Sequence, residues 1–178
     1  MDTTRDARAR RRMIGMGVLG VGLAGFIDGI VLHQILQWHH MLTDAGESAT
    51  TVAGLEANTL ADGLFHVGAL VATLAGVVLL AGAAPPAGRR WPLRGMAGAL
   101  LVGVGGFNLL EGVVDHHILT VHHVRDDVED PLPWDLGFLA VNVVVLVAGL
   151  LLARGHGTAP AVRAEESRRD RAEAGAPR

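Results

Sequence analysis

The chain has 178 residues, 50% of them hydrophobic, 19% charged and 4% aromatic, with 24 glycines, no cysteine and a formal charge of −3. A soluble domain of this size ordinarily carries more charge. Without cysteine, a disulfide framework, a thiolate zinc site, an iron–sulfur cluster and a cysteine nucleophile are excluded, so any bound metal must use histidine, carboxylate, methionine, amide or backbone groups.

Residues 1–12 form a basic N-terminus with Arg5, Arg8, Arg10, Arg11 and Arg12, expected to be disordered. A first apolar stretch, Met13 to Trp38, and a second, Leu60 to Leu80, fall in a segment spanning residues 13–82. Residues 83–93 make a short turn. A third stretch, Leu93 to about His117, and a fourth, Trp134 to Ala153, fall in residues 94–153. Residues 154–178 are rich in Arg, Glu, Ala and Pro without apolar periodicity and are expected to be a disordered tail. Each apolar stretch can cross a hydrocarbon core of roughly 30 Å. Val67 to Ala81 and Leu136 to Ala153 have almost no polar face, as lipid contact requires. The expected fold is therefore all-α, an integral membrane four-helix bundle.

Arginine placement sets the expected direction. Five arginines precede the first span, Arg89, Arg90 and Arg94 lie between spans two and three, and Arg154, Arg163, Arg168, Arg169, Arg171 and Arg178 follow span four. The other two loops hold Arg125 alone. The positive-inside rule then puts both termini in the cytoplasm of a bacterial inner-membrane protein, with Trp38 and Trp134 at the outer interface and Trp91 at the inner one. A cleavable signal peptide would also explain Arg11 and Arg12 ahead of an apolar run with Gly22 and Ala24. The same segment recurs later in the chain, however, where no signal peptidase would act.

Shifting the sequence by 83 residues aligns Asp28-Gly29-Ile30-Val31 with Glu111-Gly112-Val113-Val114, His33 with His116, and His39-His40 with His122-His123. Gly15, Gly20 and Gly22 meet Gly98, Gly103 and Gly105. Spans two and four match more weakly at a shift of 73, with Asp62 against Asp135. The reading is two tandem two-helix repeats of the same orientation, related by an axis along the membrane normal, with spans one and three facing each other. The paired glycines are read as close-packing positions between membrane helices.

The outer side holds eight of the nine histidines, twelve of the eighteen acids and one arginine. An ionised carboxylate within a span, as at Asp28 and Glu111, is costly unless it meets a partner or water. At about 100° per residue, Asp28 and His39 share one helix face, as do Glu111, Asp115 and His122, while His33 with His40 and His116 with His123 form a second face roughly 120 to 140° away. Both faces cannot point at one centre. Asp62 and His66 stand one turn apart on span two, at a depth similar to His33 and His116. The preferred constellation is His33, His66 and His116 backed by Asp28, Asp62, Glu111 or Asp115. His39, His40, His117, His122 and His123 are further candidate ligands. Imidazole and carboxylate suit Zn, Cu(II), Fe or Mn, and the pattern does not choose among them. Copper(I) handling is poorly supported, because Met41 is the one thioether near the cluster.

The strings from Gly25 through His40, Asp62-Gly63-Leu64-Phe65-His66, Glu111 through His123, and Asp135-Leu136-Gly137-Phe138 resemble the bacterial membrane-protein family called domain of unknown function 2243, over about residues 13–153. That resemblance implies four spans and supplies no activity. Three functions stay open. The first is outward-side binding of a transition metal, to handle it or to help assemble another membrane enzyme; loss of metal is expected from His33→Ala, His66→Ala or His116→Ala and none from His156→Ala. The second is an oxidoreductase using iron or a haem held between His33 and His116. The third is a proton or cation carrier relayed by Asp28 and Glu111. Expected partners are membrane lipid and another membrane protein or a second copy of the chain. No phosphate loop, Ser-His-Asp pattern or nucleic-acid signature is present.

Overall fold

The computed structural model describes residues 3–85 and 90–154, and within them it is entirely helical, with no strand. Helix α1, Thr3–Ile27, runs without interruption into a π-helical stretch, Asp28–Leu36. Helix α2 is Val52–Ala81. Helix α3, Leu93–Glu111, likewise continues as a π-helical stretch, Gly112–Ile118, and α4 is Leu132–Arg154. All four continuous helices are long and apolar enough to cross a membrane. Their outward sides carry Leu64, Val67, Val71 and Val78 on α2 and Val144, Val147 and Leu151 on α4, each close to half exposed or more. An aqueous surface of that kind would aggregate, whereas hydrocarbon accepts it.

The span expectations hold in number and order, with shifted ends. The basic segment expected to be disordered is helical from Thr3 onward and forms the first turns of α1. Arg12 explains part of this: its Nε and Nη2 donate to Ala83 O at 3.2 and 3.0 Å, and its guanidinium lies 5.5 Å from the Trp91 ring. The start of α1 is thereby tied to the end of α2 and the approach to α3. Helix α2 begins eight residues before Leu60 because Thr51 caps it, its hydroxyl accepting from Gly54 N at 3.1 Å. Asn58, fully buried, then holds the preceding loop through Leu42 N and Glu47 O. The tail beyond Arg154, with His156, and positions 86–89, with Arg89, lie outside the described residues.

Helices α1 and α3 form the central pair, α2 packs on α1 and α4 on α3, and α2 and α4 do not meet. Glycine sets how closely the central pair approaches. A Cβ at Gly20 would run into the Leu100 carbonyl, and one at Gly103 into the Gly17 carbonyl. Backbone therefore lies on backbone, as expected where apolar helices associate in lipid without a hydrophobic driving force. Residues 17 and 100 differ by the same 83 positions as residues 20 and 103, so the two contacts are reciprocal.

The Gly103→Ala variant should consequently lose about 1–3 kcal/mol of stability through overpacking. Gly106→Ala, whose Cβ would meet nothing within 4 Å, should unfold like the parent. Thermal unfolding of the two variants in one detergent checks this, and equal midpoints would refute the close-packing account.

Candidate metal centre

The site is built from a repeated backbone irregularity. Asp28 and Glu111 stand where α-helical winding gives way to π winding in α1 and α3. A π-helix bonds i to i+5, so side chains five apart fall on successive turns of one face, and such segments recur at functional sites. Asp28 accordingly meets His33, Oδ2 to Nε2 at 3.1 Å, and Glu111 meets His116, Oε1 to Nε2 at 3.0 Å. Each stretch ends in a left-handed residue, Gln37 at φ 51° and Thr120 at φ 48°. Across these reversals Trp38 N donates to Leu32 O and Val121 N to Asp115 O, both at 3.0 Å. The reversal turns each chain back over the bundle mouth and drops His39 and His122 into the interior.

The expectation of two diverging histidine faces therefore fails, because the helices change winding at residues 28 and 111 and stop before residues 39 and 122. Four imidazoles form a row that doubles back on itself instead, His33 also lying 6.1 Å from His122 and His39 6.2 Å from His116. Ring centroids are 4.5 Å apart for His33–His39, 4.6 Å for His39–His122 and 4.9 Å for His122–His116, with the middle pair parallel within 3°. All four rings are buried, none more than 2% exposed.

Three of the four Nδ1 atoms of this row are anchored outward, that of His116 having no hydrogen-bond partner. His33 Nδ1 donates to Asp62 Oδ1 at 2.9 Å, His39 Nδ1 to Val124 O at 2.9 Å and His122 Nδ1 to Met41 O at 3.3 Å. His116 Nδ1 faces Asp135 Oδ1 at 3.4 Å. Each half thus secures the other's inner histidine through a backbone carbonyl, and Met41 and Val124 are again 83 apart. With Nδ1 of His33, His39 and His122 carrying the proton, their Nε2 lone pairs turn inward. There the nitrogens of His33, His39 and His116 find no hydrogen-bond partner. His122 Nε2 meets only Glu111 Oε1, at 3.2 Å. Burial, with His122 and His33 alongside, lowers His39 to about 2, so its ring is neutral, the form that ligates metals.

Two groups of donor atoms result, Asp28 with His33 and His39, and Glu111 with His116 and His122, each set lying within 4.8 Å of one another and each able to hold a metal ion. Asp62 and Asp135, expected and unexpected respectively as site residues, act behind the rings. Asp62 accepts from His33, His40 (2.8 Å), Met41 N (3.0 Å) and Gln34 (3.3 Å). Asp135 accepts from His123 at 2.6 Å and Val124 N at 2.9 Å. Its match to Asp62 at a shift of 73 was the signal that could have placed it in the site. His40 and His123 thus sit at the rim, held by these aspartates.

His66 does not join His33 and His116. Its Nδ1 donates to the backbone carbonyl of Asp62 at 2.8 Å, and its ring fills the space left by the missing side chain of Gly29, where a Cβ would stand 2.5 Å from Nε2. His117 is exposed and outside both groups, and Asp115 is half-buried in the wall of a groove with Met41, Phe65, Phe107, Leu110, Glu111 and Val114. A polar opening of about 460 Å³ reaches the row from the loop side past His39, His40, Asp126 and Asp127. Burial, with Asp44 nearby, pushes Asp126 up to about 6 against the pull of His123 N–H, so it is ionised at neutral pH. Above the row, the Arg125 guanidinium lies 5.1 Å from the Trp38 ring and 4.8 Å from the Trp134 ring, joining the two halves.

A family model described as "Predicted membrane protein (DUF2243)" matches residues 15–156, and the chain belongs to that family. No curated protein and no solved structure matches it.

Removal of the Asp62 carboxylate leaves two imidazole N–H groups and a backbone N–H without their acceptor. Asp62→Ala should therefore cost about 3–5 kcal/mol, as for other broken buried charge networks, whereas His117→Ala should leave stability unchanged. Chemical or thermal unfolding in detergent reads both, and an Asp62→Ala protein as stable as the parent would contradict the anchoring role.

Proposed function

We propose that this member of the family is a bacterial inner-membrane protein that binds a divalent transition metal on its extracytoplasmic side, for handling the metal or for assembling another membrane enzyme. The observation that carries the reading is the set of buried, inward-facing Nε2 atoms without partners beside Asp28 and Glu111. With His33 Nδ1 already donating to Asp62, its Nε2 is an acceptor facing another acceptor, Asp28. That arrangement is repulsive until a cation, metal or proton, stands between them. Tetrahedral ligands about 2.0–2.1 Å from a zinc ion lie about 3.3 Å from each other, close to the 3.0–3.2 Å separations here. Carboxylates and carbonyls that fix the far side of each ring are the usual support of metal-bound histidine. Two imidazoles and one carboxylate suit Zn, Fe(II), Mn or Cu(II).

An ion is favoured over haem, since the four rings pack with neighbouring centroids only 4.5, 4.6 and 4.9 Å apart, too close for a porphyrin to lie among them. Proton relay is disfavoured by the backbone-on-backbone seam at Gly20 and Gly103, which leaves the central pair no polar route inward. The oxidoreductase reading keeps one specific support, the groove of about 300 Å³ that brings apolar walls up to Glu111. The matched contacts at a shift of 83, from Asp28–His33 and Glu111–His116 to Gln37 and Thr120, support two tandem two-helix repeats. The arginine distribution supports both termini inside.

Protein purified without chelator and analysed for Mn, Fe, Cu and Zn should contain at least one equivalent of metal. His39→Ala with His122→Ala should lose it, while His66→Ala and His117→Ala should retain it. Failure of the parent to retain any of the four metals after loading and washing would end the reading. Orientation is tested independently, because the chain has no cysteine. Thr50→Cys should react with an impermeant maleimide on intact spheroplasts and Arg94→Cys only after lysis; the opposite pattern would invert the topology.

A further inference from the structure

We infer that the row of four histidines is a dinuclear centre, one ion held by Asp28, His33 and His39 and a second, adjacent ion held by Glu111, His116 and His122. This deepens the metal-binding reading above and rests on it.

The first argument is charge. Asp28, Asp62, Glu111 and Asp135 are each at most 7% exposed, and among the described residues no arginine bonds to any of them. Four buried carboxylates carry four negative charges if ionised, and an uncompensated buried charge costs several kcal/mol. Two divalent cations balance four carboxylates, with every histidine neutral. A single divalent ion would leave two of those four charges unmatched.

The second argument is geometry. The donor atoms fall into two compact sets rather than one shell, because each carboxylate lies against its own i+5 histidine. One ion placed between His33 and His116 would displace the stacked His39 and His122 rings, whose Nδ1 atoms are fixed by carbonyls from opposite halves. The same parallel rings, 4.6 Å apart, hold the two sets side by side.

The two positions are also chemically unequal. Glu111 is one methylene longer than Asp28 and meets both His116 and His122. Beside it stands Asp115, where the other half has Leu32. The two ions should therefore bind in separable steps.

Full-length, metal-free protein titrated with Cu(II) tests the inference by stoichiometry and by electron paramagnetic resonance. The parent should bind two equivalents in two steps, with the second producing a spin-coupled spectrum in place of an isolated Cu(II) signal. Both Asp28→Asn and Glu111→Gln, near-isosteric and so spared a packing defect, should bind one equivalent and show the isolated signal, as should His33→Ala and His116→Ala wherever these remain monodisperse. A parent that saturates at one equivalent, or binds two without spin coupling, overturns the dinuclear centre and leaves the metal-binding reading standing. A parent that binds none overturns both.

Discussion

The structure is organised around four carboxylates placed among helices whose outer faces suit hydrocarbon, with no arginine among the described residues bonded to them. Every other feature of the outer half answers that constraint. A neutral histidine beside them can offer a proton on one side and a lone pair on the other. Asp62 accepts from His33 and His40 and Asp135 from His123, while Asp28 lies against Nε2 of His33 and Glu111 against Nε2 of His116 and His122. A polar interior of this kind is stable only when every member is satisfied. The Nε2 atoms of His33, His39 and His116 are the members left unpartnered.

The backbone is shaped to serve this arrangement. A regular α-helix through Asp28 would carry His33 to a different face, and a helix extended past Leu36 would keep His39 out of the interior. Widening to π winding solves the first problem and a left-handed residue at Gln37 the second, and the same pair of devices occurs at Glu111 and Thr120. Non-glycine residues in the left-handed region cost roughly 1–3 kcal/mol and persist where the surroundings over-determine them. Here the surroundings are the carbonyl anchors exchanged between halves, Val124 for His39 and Met41 for His122. The inner histidine of each half is thus held by the opposite half, so the site requires both.

Much of this was legible from the chain, and the parts that were not share a cause. Span number, order and the gathering of histidines and acids at one end of the spans depend on hydropathy and composition, which are local and additive. The pairing of Asp28 with Glu111 and His33 with His116 depends on recurrence, which needs no geometry. What failed was angular reasoning at 100° per residue, because it assumed α winding through the very positions where the winding changes. His66 was attractive for its spacing from Asp62 and its depth, yet its Nδ1 is used by the backbone of its own helix and its ring by the gap at Gly29. Asp135 was visible as the match of Asp62, but its role depends on which histidines arrive from distant turns. The helical start at Thr3 depends on Arg12 finding Ala83, a contact across 71 residues.

Departures from symmetry carry as much information as symmetry itself. The donor types recur in both halves, while the positions around the α2–α3 groove diverge: Phe107 stands where the other half has Ala24, Asp115 where it has Leu32, and Met41 where it has Val124. A scaffold kept only to hold metal gains nothing by altering one face and sparing the ligands. The altered face is the one through which Glu111 is approached between apolar walls, whereas His39 and His40 are approached through a polar, acidic opening on the loop side. One centre thus has two kinds of access, suited respectively to a molecule dissolved in the bilayer and to an ion arriving from water. Under the proposed metal-binding reading the second route would serve uptake, and the first would be needed only if the metal acts on something else.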